Sequence, residues 1–348
     1  MVGSFQHWNS LESHYMKHIA QKIKNIVLYP FPDMILQHYR KNLLNRAAYR
    51  FHFHSQSKIK YFNSLLFQKV AKEKPDIVWI FKGLDILPET LEKIKRLGIK
   101  LVNYNADHPF IRTFRSSGGK EIENCIPLYD LVFCYSRNLM DDIKARYTPN
   151  IKTYFLPFGY GLTETERMAI FYKANVESEI QRLCFIGNPD NEFRYKTLKQ
   201  IISRKIPIDI YGKGWHKYFS KKHENLKVQE GIYDQDYWSA LPRYRAQLNI
   251  FRPHNESSHN MRTFEIPAVG GIQLAPDSIE HREFFIENKE IFLYNSIESL
   301  IEKTEVLLGF SDQDSRVYRE AAFLKCTHED YSYKRRAEEV VTVFSEMI

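Results

Sequence analysis

Apolar runs alternate with longer amphipathic stretches through the first half of the chain. The apolar runs predict strands at residues 25–29, 76–81, 100–104, 131–135 and 153–156. A helical period predicts helices at residues 11–24, 58–74, 88–97 and 137–146. Pro88 suits the first turn of its helix, and Gly98 lies where a helix would end. Strands separated by helices of this length indicate parallel βαβ units.

A second series of the same kind begins after Gly159-Tyr160-Gly161. It predicts strands at residues 183–186, 208–211, 226–229, 247–251 and 272–274, and helices at residues 194–204, 236–243, 261–269, 297–308 and 333–347. The chain is therefore predicted to be an α/β protein with two Rossmann-like domains, whose parallel sheets face a central cleft. We expect an N-terminal domain at 1–160, a C-terminal domain at 161–330, and a helix at 331–348 that packs back toward the first domain.

Composition places the chain among ordinary globular proteins. Of its 348 residues, 43% are hydrophobic and 26% are charged, which excludes a disordered or collagen-like chain. No window approaches 18 uninterrupted apolar residues, and the first residues lack the basic and apolar regions of a secretory signal. The four cysteines form no CxxC pair, so we expect reduced thiols in a cytoplasmic protein.

The net positive charge of the chain comes from its first half. Residues 1–160 contain 24 Lys and Arg against 13 Asp and Glu, whereas residues 161–348 contain 26 against 29. The basic residues are densest from Arg40 to Lys74, where Tyr, Phe and Leu are interleaved with them. Three interpretations stay open: a solvated helical face, contact with an anionic membrane surface, or a nucleic-acid patch.

Several common functional motifs are absent. The sequence has no GxGxxG, Walker A or GxSxG motif, which argues against classical dinucleotide binding, P-loop chemistry and an α/β-hydrolase. His52 and His54 resemble a metal-binding pair, but no third ligand lies near them in the sequence. We therefore expect no metal site.

The most informative stretch is 251–276, FRPHNESSHNMRTFEIPAVGGIQLAP. It predicts a strand end, a polar loop and a helix that carries Arg262 and Glu265 on one face, three positions apart. A helix N-terminus and an arginine suit a phosphate, and a glutamate can accept two hydrogen bonds from a ribose. Gly270-Gly271 would end the helix and let the backbone approach a ligand. The alternative is an ordinary exposed Arg–Glu pair.

The segment HNMRTFEIPAVGGIQLAP, followed by Glu283-Phe284-Phe285 and IFLYNSIESLIEK, resembles the donor domain of CgeB-like glycosyltransferases. Upstream, KPDIVWIFKG, LPETLEKIKRLGIKLVNYNADHPF, YDLVFCYSRN and YFLPFGY resemble the N-terminal domain of that family and occur in the expected order. Near the end, Thr327-His328 and Arg335-Arg336 are similar to its closing helix. The resemblance covers most of the chain and implies the GT-B fold and a nucleotide-sugar-dependent glycosyltransferase.

The resemblance also implies where the donor binds: at the carboxyl ends of the C-terminal strands. Ile232 and Tyr233 would bracket the nucleobase, and Glu265 would hold the ribose. The diphosphate would be neutralised by Arg194, Arg252 or Arg262. The remaining implied donor-site residues are Gly187, Asn188, Tyr211, Gly212, Asn260 and Thr263. For three of these residues an ordinary surface or strand-end role is an equal alternative: Arg194, Tyr211 and Arg252.

Retention or inversion of the anomeric configuration stays open. The large retaining GT-B group spaces two glutamates as E-x7-E, and the second matches Glu265. The first falls on Ser257, with Glu256 one position away. An inverting enzyme would need a base from the N-terminal domain, where Asp107 and His108 follow a predicted strand. For both, a purely structural role is an equal alternative.

The resemblance implies a glycosyltransferase that moves a sugar from a UDP- or GDP-linked donor to a glycan, lipid-linked glycan or protein, without a metal. A GT-B sugar-nucleotide epimerase or hydrolase is one alternative, and a degenerate homologue that binds sugar nucleotide or glycan as a scaffold is another. The basic first half would suit an anionic acceptor or the inner face of a membrane. No nucleic-acid motif accompanies the charge, so we expect no nucleic-acid partner.

Overall fold

A computed structural model of the protein describes residues 1–6, 10–40, 56–111, 118–147, 151–189, 192–221, 223–252 and 257–348. The chain forms two compact units. Unit 1 comprises Met1–Pro157 and Tyr333–Ile348, and unit 2 comprises Phe158–Ser332. His52, His54 and Glu256, which the sequence singled out, lie outside the described residues.

Unit 1 is built on four parallel strands that are neighbours in sequence order: β1 (Ile77–Phe81), β2 (Lys100–Asn105), β3 (Leu131–Cys134) and β4 (Lys152–Phe155). Its described helices are α1 (Leu11–Ile19), α2 (Phe31–Arg40), α3 (Gln56–Glu73), α4 (Pro88–Lys95), α5 (Lys120–Cys125), α6 (Arg137–Tyr147) and the last helix of the chain, α14 (Tyr333–Met347). Helix α14 packs on α1, where the rings of His14 and Tyr333 stack 4.7 Å apart.

The strand predicted at residues 25–29 is wrong. Only Tyr29 forms a bridge, to Val2, and the rest of that segment forms no ladder. A strand requires a hydrogen-bonding neighbour along its length. Here the neighbour is residues 1–3, whose hydrogen bonds reach only Tyr29 and the carbonyl oxygen of Val27. The apolar pattern alone does not make a strand, because residues 25–28 form no ladder.

Unit 2 is built on six parallel strands: β5 (Ile180–Ile186), β6 (Ile208–Tyr211), β7 (Leu226–Gln229), β8 (Tyr244–Leu248), β9 (Gln273–Pro276) and β10 (Phe292–Tyr294). Their order in the sheet is β10-β9-β8-β5-β6-β7. The described helices are α7 (Glu164–Val176), α8 (Glu192–Ser203), α9 (Asp234–Ala240), α10 (Arg262–Ala268), α11 (Ile279–Phe284), α12 (Ile297–Leu308) and α13 (Asp312–Glu329). The core lies between sheet and helices and includes the fully buried Trp215.

The predicted α/β architecture with parallel sheets is confirmed, although several elements were not predicted. Helices α2, α5, α7, α11 and α13 and strand β10 are additions, and β8 begins three residues before the predicted strand at 247–251. Helix α7 begins with a Thr163–Glu166 capping box and α13 with a Ser311–Asp314 capping box. These caps were visible in the sequence, but the weakly amphipathic residues that follow them gave no clear helical period.

Candidate functional site

The carboxyl ends of the parallel strands of unit 2 meet at one edge of the sheet, where ligands of open α/β sheets usually bind. Loops 187–189, 212–214 and 249–252 follow the neighbouring strands β5, β6 and β8 at this edge. Four of the predicted donor residues lie in these loops: Gly187, Asn188, Gly212 and Arg252. Arg252 is exposed.

The loops after β5 and β6 touch through their backbones. A Cβ atom on Gly212 would lie 2.2 Å from the carbonyl oxygen of Gly187, so only glycine fits there. The Trp215 indole N–H donates to the same carbonyl at 2.6 Å, and the Lys213 N–H donates to Oδ1 of Asn188 at 2.9 Å. The structure therefore brings Gly187, Asn188 and Gly212 together.

Arg194 joins the loops after the adjacent strands β5 and β8. Its guanidinium group donates to the carbonyl oxygens of Asn188 at 3.0 Å and of Ile250 at 3.1 Å. The same group lies 5.6 Å from the centroid of the Phe185 ring. These contacts give Arg194 a role in holding the two loops in place.

The Tyr211 hydroxyl group belongs to a polar chain. It shares a hydrogen bond of 2.7 Å with the Tyr244 hydroxyl, and Tyr244 donates to Oδ2 of Asp209 at 2.8 Å. The other carboxylate oxygen of Asp209 accepts from Nε of Arg182 at 2.5 Å. Burial raises the pKa of Tyr244, which keeps this hydroxyl protonated as a donor. These bonds give Tyr211 a structural role at the end of its strand. That role is the alternative to donor binding that the sequence left open.

Asn260 and Thr263 form reciprocal hydrogen bonds across the first turn of α10. The Asn260 N–H donates to Oγ1 of Thr263, and the Thr263 N–H donates to Oδ1 of Asn260, both at 3.2 Å. The Asn260 amide also exchanges two hydrogen bonds with the amide of Asn249, at 2.8 and 3.0 Å. This reciprocal pair ties the beginning of α10 to the end of β8. The sequence predicted Asn260 and Thr263 but gave no sign of Asn249.

His281 accepts a hydrogen bond from the Thr263 hydroxyl and so fixes its orientation. Its Nδ1 donates to the Pro276 carbonyl at 2.8 Å, so Nε2 carries no proton and accepts from Oγ1 of Thr263 at 2.8 Å. Burial lowers the pKa of His281 to about 4, which keeps the ring neutral and this tautomer in place.

His259 and Glu280 fix the loop that leads into α10. His259 Nε2 accepts from the Phe158 N–H at 3.2 Å, so Nδ1 carries the proton and donates to Glu280. The Ser258 hydroxyl donates to the same carboxylate oxygen at 3.0 Å. Both His259 and Glu280 are buried. Neither was predicted, because their partners lie far away in the sequence.

Glu265 is the centre of a compact polar cluster with Arg262 and Tyr237. Its Oε2 accepts from the Tyr237 hydroxyl at 2.7 Å and from the Arg262 guanidinium at 2.5 Å. Arg262 also donates to the Tyr237 oxygen and lies over that ring, 4.4 Å from its centroid. Burial raises the pKa of Tyr237 well above its usual value, so the hydroxyl remains a donor.

The geometry of this cluster leaves one carboxylate oxygen for a ligand. Both protein contacts use Oε2 of Glu265, and within the described parts of the chain no hydrogen bond reaches Oε1. The Glu265 side chain is 9% exposed and that of Arg262 31% exposed, so a largely buried carboxylate lies beside a partly exposed cation. The Arg–Glu pair was predicted from its spacing. Tyr237 was missed, because nothing in the sequence links it to a residue 28 positions away.

Ile232 and Tyr233 precede α9, in the loop after the edge strand β7. Tyr233 is 61% exposed, and Ile232 is half-buried. The hydroxyl oxygen of Tyr233 lies so close to Gly231 that a Cβ there would approach it to 2.8 Å. An exposed aromatic ring at the carboxyl edge is available for stacking on a base.

Asp107 and His108 lie in unit 1, directly after β2. Asp107 accepts from Nζ of Lys82 at 2.7 Å, and its own N–H donates to Oδ1 of Asn105 at 3.0 Å. His108 is buried, and its Nε2 lies 3.3 Å from a carboxylate oxygen of Asp142. Each therefore has a charged partner, Lys82 and Asp142, that the sequence did not indicate.

Ser257 occupies the position at which the E-x7-E pattern of retaining GT-B enzymes has its first glutamate. It is exposed and has a positive φ of 65°.

Among the described residues, no group of three or more His, Cys, Asp and Glu side chains is arranged to hold a metal ion. No helix in the described ranges has the length and apolar character required to span a membrane.

Known proteins resemble this chain in part of its sequence and in its fold. Residues 194–342 match the family described as glycosyl transferase-like. No curated protein sequence matches the chain. A glycosyltransferase from Rickettsia africae ESF-5 has a similar structure, with a TM-score of 0.65 at 12% identity over 99% of this chain and 97% of that one.

Two further solved structures are similar. TarM from S. aureus, solved with fondaparinux, alpha-GlcNAc-glycerol and UDP, gives a TM-score of 0.59 at 14% identity over 81% of this chain. The match spans only 59% of TarM. A putative UDP-N-acetylglucosamine 2-epimerase from Listeria monocytogenes gives 0.54 at 13% identity, over 98% of this chain and 94% of that one. The fold is therefore that of the GT-B glycosyltransferases, as predicted, whereas the CgeB-like subgroup stays a prediction.

Proposed function

We propose that the protein is a nucleotide-sugar-dependent glycosyltransferase whose donor binds at the carboxyl edge of the unit 2 sheet. The observation that carries this proposal is the Glu265 cluster. Two donors hold Oε2 of the carboxylate, and no hydrogen bond from the described residues reaches Oε1. A carboxylate oxygen accepts two hydrogen bonds, so Oε1 suits the two hydroxyls of a ribose.

The diphosphate of the donor would lie beside Arg262 and Arg252. One guanidinium nitrogen of Arg262 donates hydrogen bonds to Glu265 and Tyr237. The Arg262 side chain remains partly exposed. Negative charge develops on the diphosphate as the glycosidic bond breaks. A cation that is already fixed in place stabilises that charge without reorganising. Arg194 would contribute indirectly, by holding the loops after β5 and β8.

The proposal includes UDP or GDP as the nucleotide and a reaction that requires no metal. UDP is favoured because TarM, which has the same fold, was solved with UDP. The acceptor class is a glycan, a lipid-linked glycan or a protein. The excess of basic residues in 1–160 favours an acidic acceptor or one presented at an anionic membrane surface. The cytoplasm is the compartment that such an enzyme would occupy.

A thermal-shift comparison of UDP, GDP, ADP, TDP and CMP, with and without a chelator, tests the donor site. A ligand that binds only the folded protein raises its midpoint by mass action. At a hundredfold excess over Kd, we expect UDP or GDP to raise the midpoint by about 5–10 °C. The shift should persist when divalent metals are chelated. If no nucleotide moves the midpoint, the donor site is wrong and the alternative of a degenerate scaffold gains support.

A sugar-nucleotide epimerase is the second candidate, supported by the likeness to the Listeria structure. An epimerase would change the sugar nucleotide with no acceptor present, whereas a transferase would require an acceptor for rapid turnover. Incubation of the donor with the protein alone, followed by separation of the products, distinguishes the two.

If the enzyme inverts the anomeric configuration, Asp107 is the group that we propose as base on the acceptor hydroxyl. Its ion pair with Lys82 orients the carboxylate, and D107N preserves its size while removing its basicity. We expect the rate of sugar transfer to fall about 100-fold or more, since general-base catalysis contributes about 10²–10⁴. The nucleotide-induced thermal shift should be unchanged. Transfer within threefold of the original rate would show that Asp107 is structural.

A further inference from the structure

One stretch of unit 2 is strongly basic. Residues 192–227 contain ten Lys and Arg against three Asp and Glu, whereas the rest of the second half contains 16 against 26. Two of the three carboxylates are already paired within the described residues, Glu192 with Lys196 and Asp209 with Arg182. The stretch therefore carries a positive charge that its own acidic residues do not balance.

This charge is presented to solvent. The exposed lysines of the stretch include Lys199 on α8 and three in the segment that follows β6: Lys213, Lys217 and Lys221. None of these four forms an ion pair with a residue that the structure describes. An exposed cation without a carboxylate partner is available to an anionic ligand.

The segment that follows β6 runs along α8 from one end to the other. Near the beginning of α8, the ring centroids of Tyr195 and Tyr218 lie 5.3 Å apart. Near its end, the Asn225 amide donates to the Ile202 carbonyl at 3.1 Å. The twelve residues of α8 span about 18 Å, so helix and segment form one surface of about that length. This surface, called the basic face below, comprises residues 192–205, 213–221 and 223–227.

The basic face also presents aromatic rings. Phe193 and Tyr218 are exposed, and no other large hydrophobic side chain is exposed among the residues of this face. The Tyr218 ring is held between Tyr195 and Trp215, whose ring centroid lies 5.8 Å from its own. Nζ of Lys199 lies 5.9 Å from the centroid of the Tyr195 ring. Fixed rings and cations therefore lie side by side.

This combination favours one class of polyanion over two others. A protein that binds a membrane surface inserts an apolar helix face beside its cations, and the described basic face has two exposed rings instead. A single-stranded nucleic acid stacks successive bases on a series of rings. An acidic glycan needs cations for its acid groups and an occasional ring, because sugar C–H groups pack on the negative face of an aromatic ring. The basic face fits the glycan best.

The basic face begins at the loops that the donor is proposed to use. The Lys213 N–H donates to Oδ1 of Asn188 at 2.9 Å, and Arg194, in the first turn of α8, joins the loops after β5 and β8. A glycan that carries the reacting hydroxyl can therefore continue along the face as it leaves these loops. We propose that the basic face binds an acidic glycan, as the part of the acceptor beyond the reacting sugar. The role as acceptor rests on the proposed transferase activity, whereas binding itself requires no nucleotide.

Titration with a hexasaccharide of galacturonic acid tests this proposal. Maltohexaose is the neutral control of the same length, and hexaglutamate is a polyanion without sugar rings. We expect the Kd of the galacturonate hexasaccharide to be at least about tenfold below that of either control, because only this probe meets both cations and rings. Its affinity should fall as salt is added, since salt screens exposed charges.

Variants of the face assign the binding to it. K217Q/K221Q removes two charges away from the donor loops and should weaken binding of the hexasaccharide about five- to tenfold. K217R/K221R keeps both charges and should bind as the original protein does. K173Q/K289Q, which removes two exposed lysines elsewhere in unit 2, is the matched control and should also leave the affinity unchanged. Y218A removes the ring and should weaken binding about fivefold.

The nucleotide-induced thermal shift should be the same in K217Q/K221Q as in the original protein. If no nucleotide shifts the midpoint but the hexasaccharide binds as expected, the proposed transferase is wrong and the glycan site stands. Equal affinities for the hexasaccharide and hexaglutamate would overturn the proposal, as would an unchanged affinity in K217Q/K221Q. So would vesicles of phosphatidylglycerol that bind through these lysines when the hexasaccharide does not, since the face would then belong to a membrane.

Discussion

Replacing Glu265 with alanine is expected to lower the affinity for the nucleotide about ten- to hundredfold. Hydrogen bonds to a charged group contribute about 1.5–3 kcal/mol, and about 1.4 kcal/mol corresponds to tenfold in affinity. The substitution also removes the anchor of Arg262, whose guanidinium contacts both Glu265 and Tyr237. Calorimetric titration with the nucleotide identified by thermal shift measures the change.

Matched variants separate this role from general destabilisation. E302A removes an exposed glutamate of α12 and should leave the affinity unchanged. Y237F removes one of the two donors to Oε2 and keeps the ring beneath Arg262, so we expect a smaller loss, about three- to tenfold. If E265A binds nucleotide as tightly as E302A does, the ribose site lies elsewhere.

Replacing Gly212 with alanine is expected to cause a large loss of stability. The new Cβ would lie 2.2 Å from the Gly187 carbonyl oxygen, 2.8 Å from its carbon and 2.9 Å from the Trp215 indole nitrogen. Two of these atoms are backbone and cannot rotate away, so the loops after β5 and β6 must separate. We expect the free energy of unfolding to fall by about 3 kcal/mol or more.

Chemical denaturation measures that loss, and G119A is its control. A Cβ on Gly119 meets no atom within 4 Å, and the backbone there is extended, with φ of 169°. Because Gly119 is the N-cap of α5, where glycine is preferred to alanine, its free energy of unfolding should fall by no more than about 1 kcal/mol. G212A should also weaken the nucleotide-induced shift, because Gly187 and Asn188 would move. A stable G212A that keeps the shift would contradict the contact.

Short-range patterns predicted the parts of this fold that depend on neighbours in the sequence. The spacing of Arg262 and Glu265 placed both on one face of a helix, and the structure pairs them at 2.5 Å. Apolar runs predicted β1 and β6 because strands covered on both faces have uninterrupted apolar sequences. In each case the pattern that predicts the element lies within a few consecutive residues.

Contacts across the fold could not be predicted in this way. Tyr237 reaches Glu265 only because α9 and α10 both begin at the carboxyl edge of the sheet. Gly212 was among the implied donor-site residues, but nothing in the sequence indicated its close contact with the Gly187 carbonyl. Residues 25–29 have a strand pattern, but a strand also needs a neighbour, and the sequence does not reveal how far that neighbour extends.

Because α14 belongs to unit 1, the two units must complete their folding in a definite order during synthesis. Unit 2 is one continuous stretch, Phe158–Ser332, whereas unit 1 takes its last helix from residues that follow all of unit 2. Chains emerge from the ribosome from the amino end. Unit 2 can therefore complete its sheet while unit 1 still lacks the helix whose Phe344 packs on Trp79. The unit that is begun first is the one that is finished last.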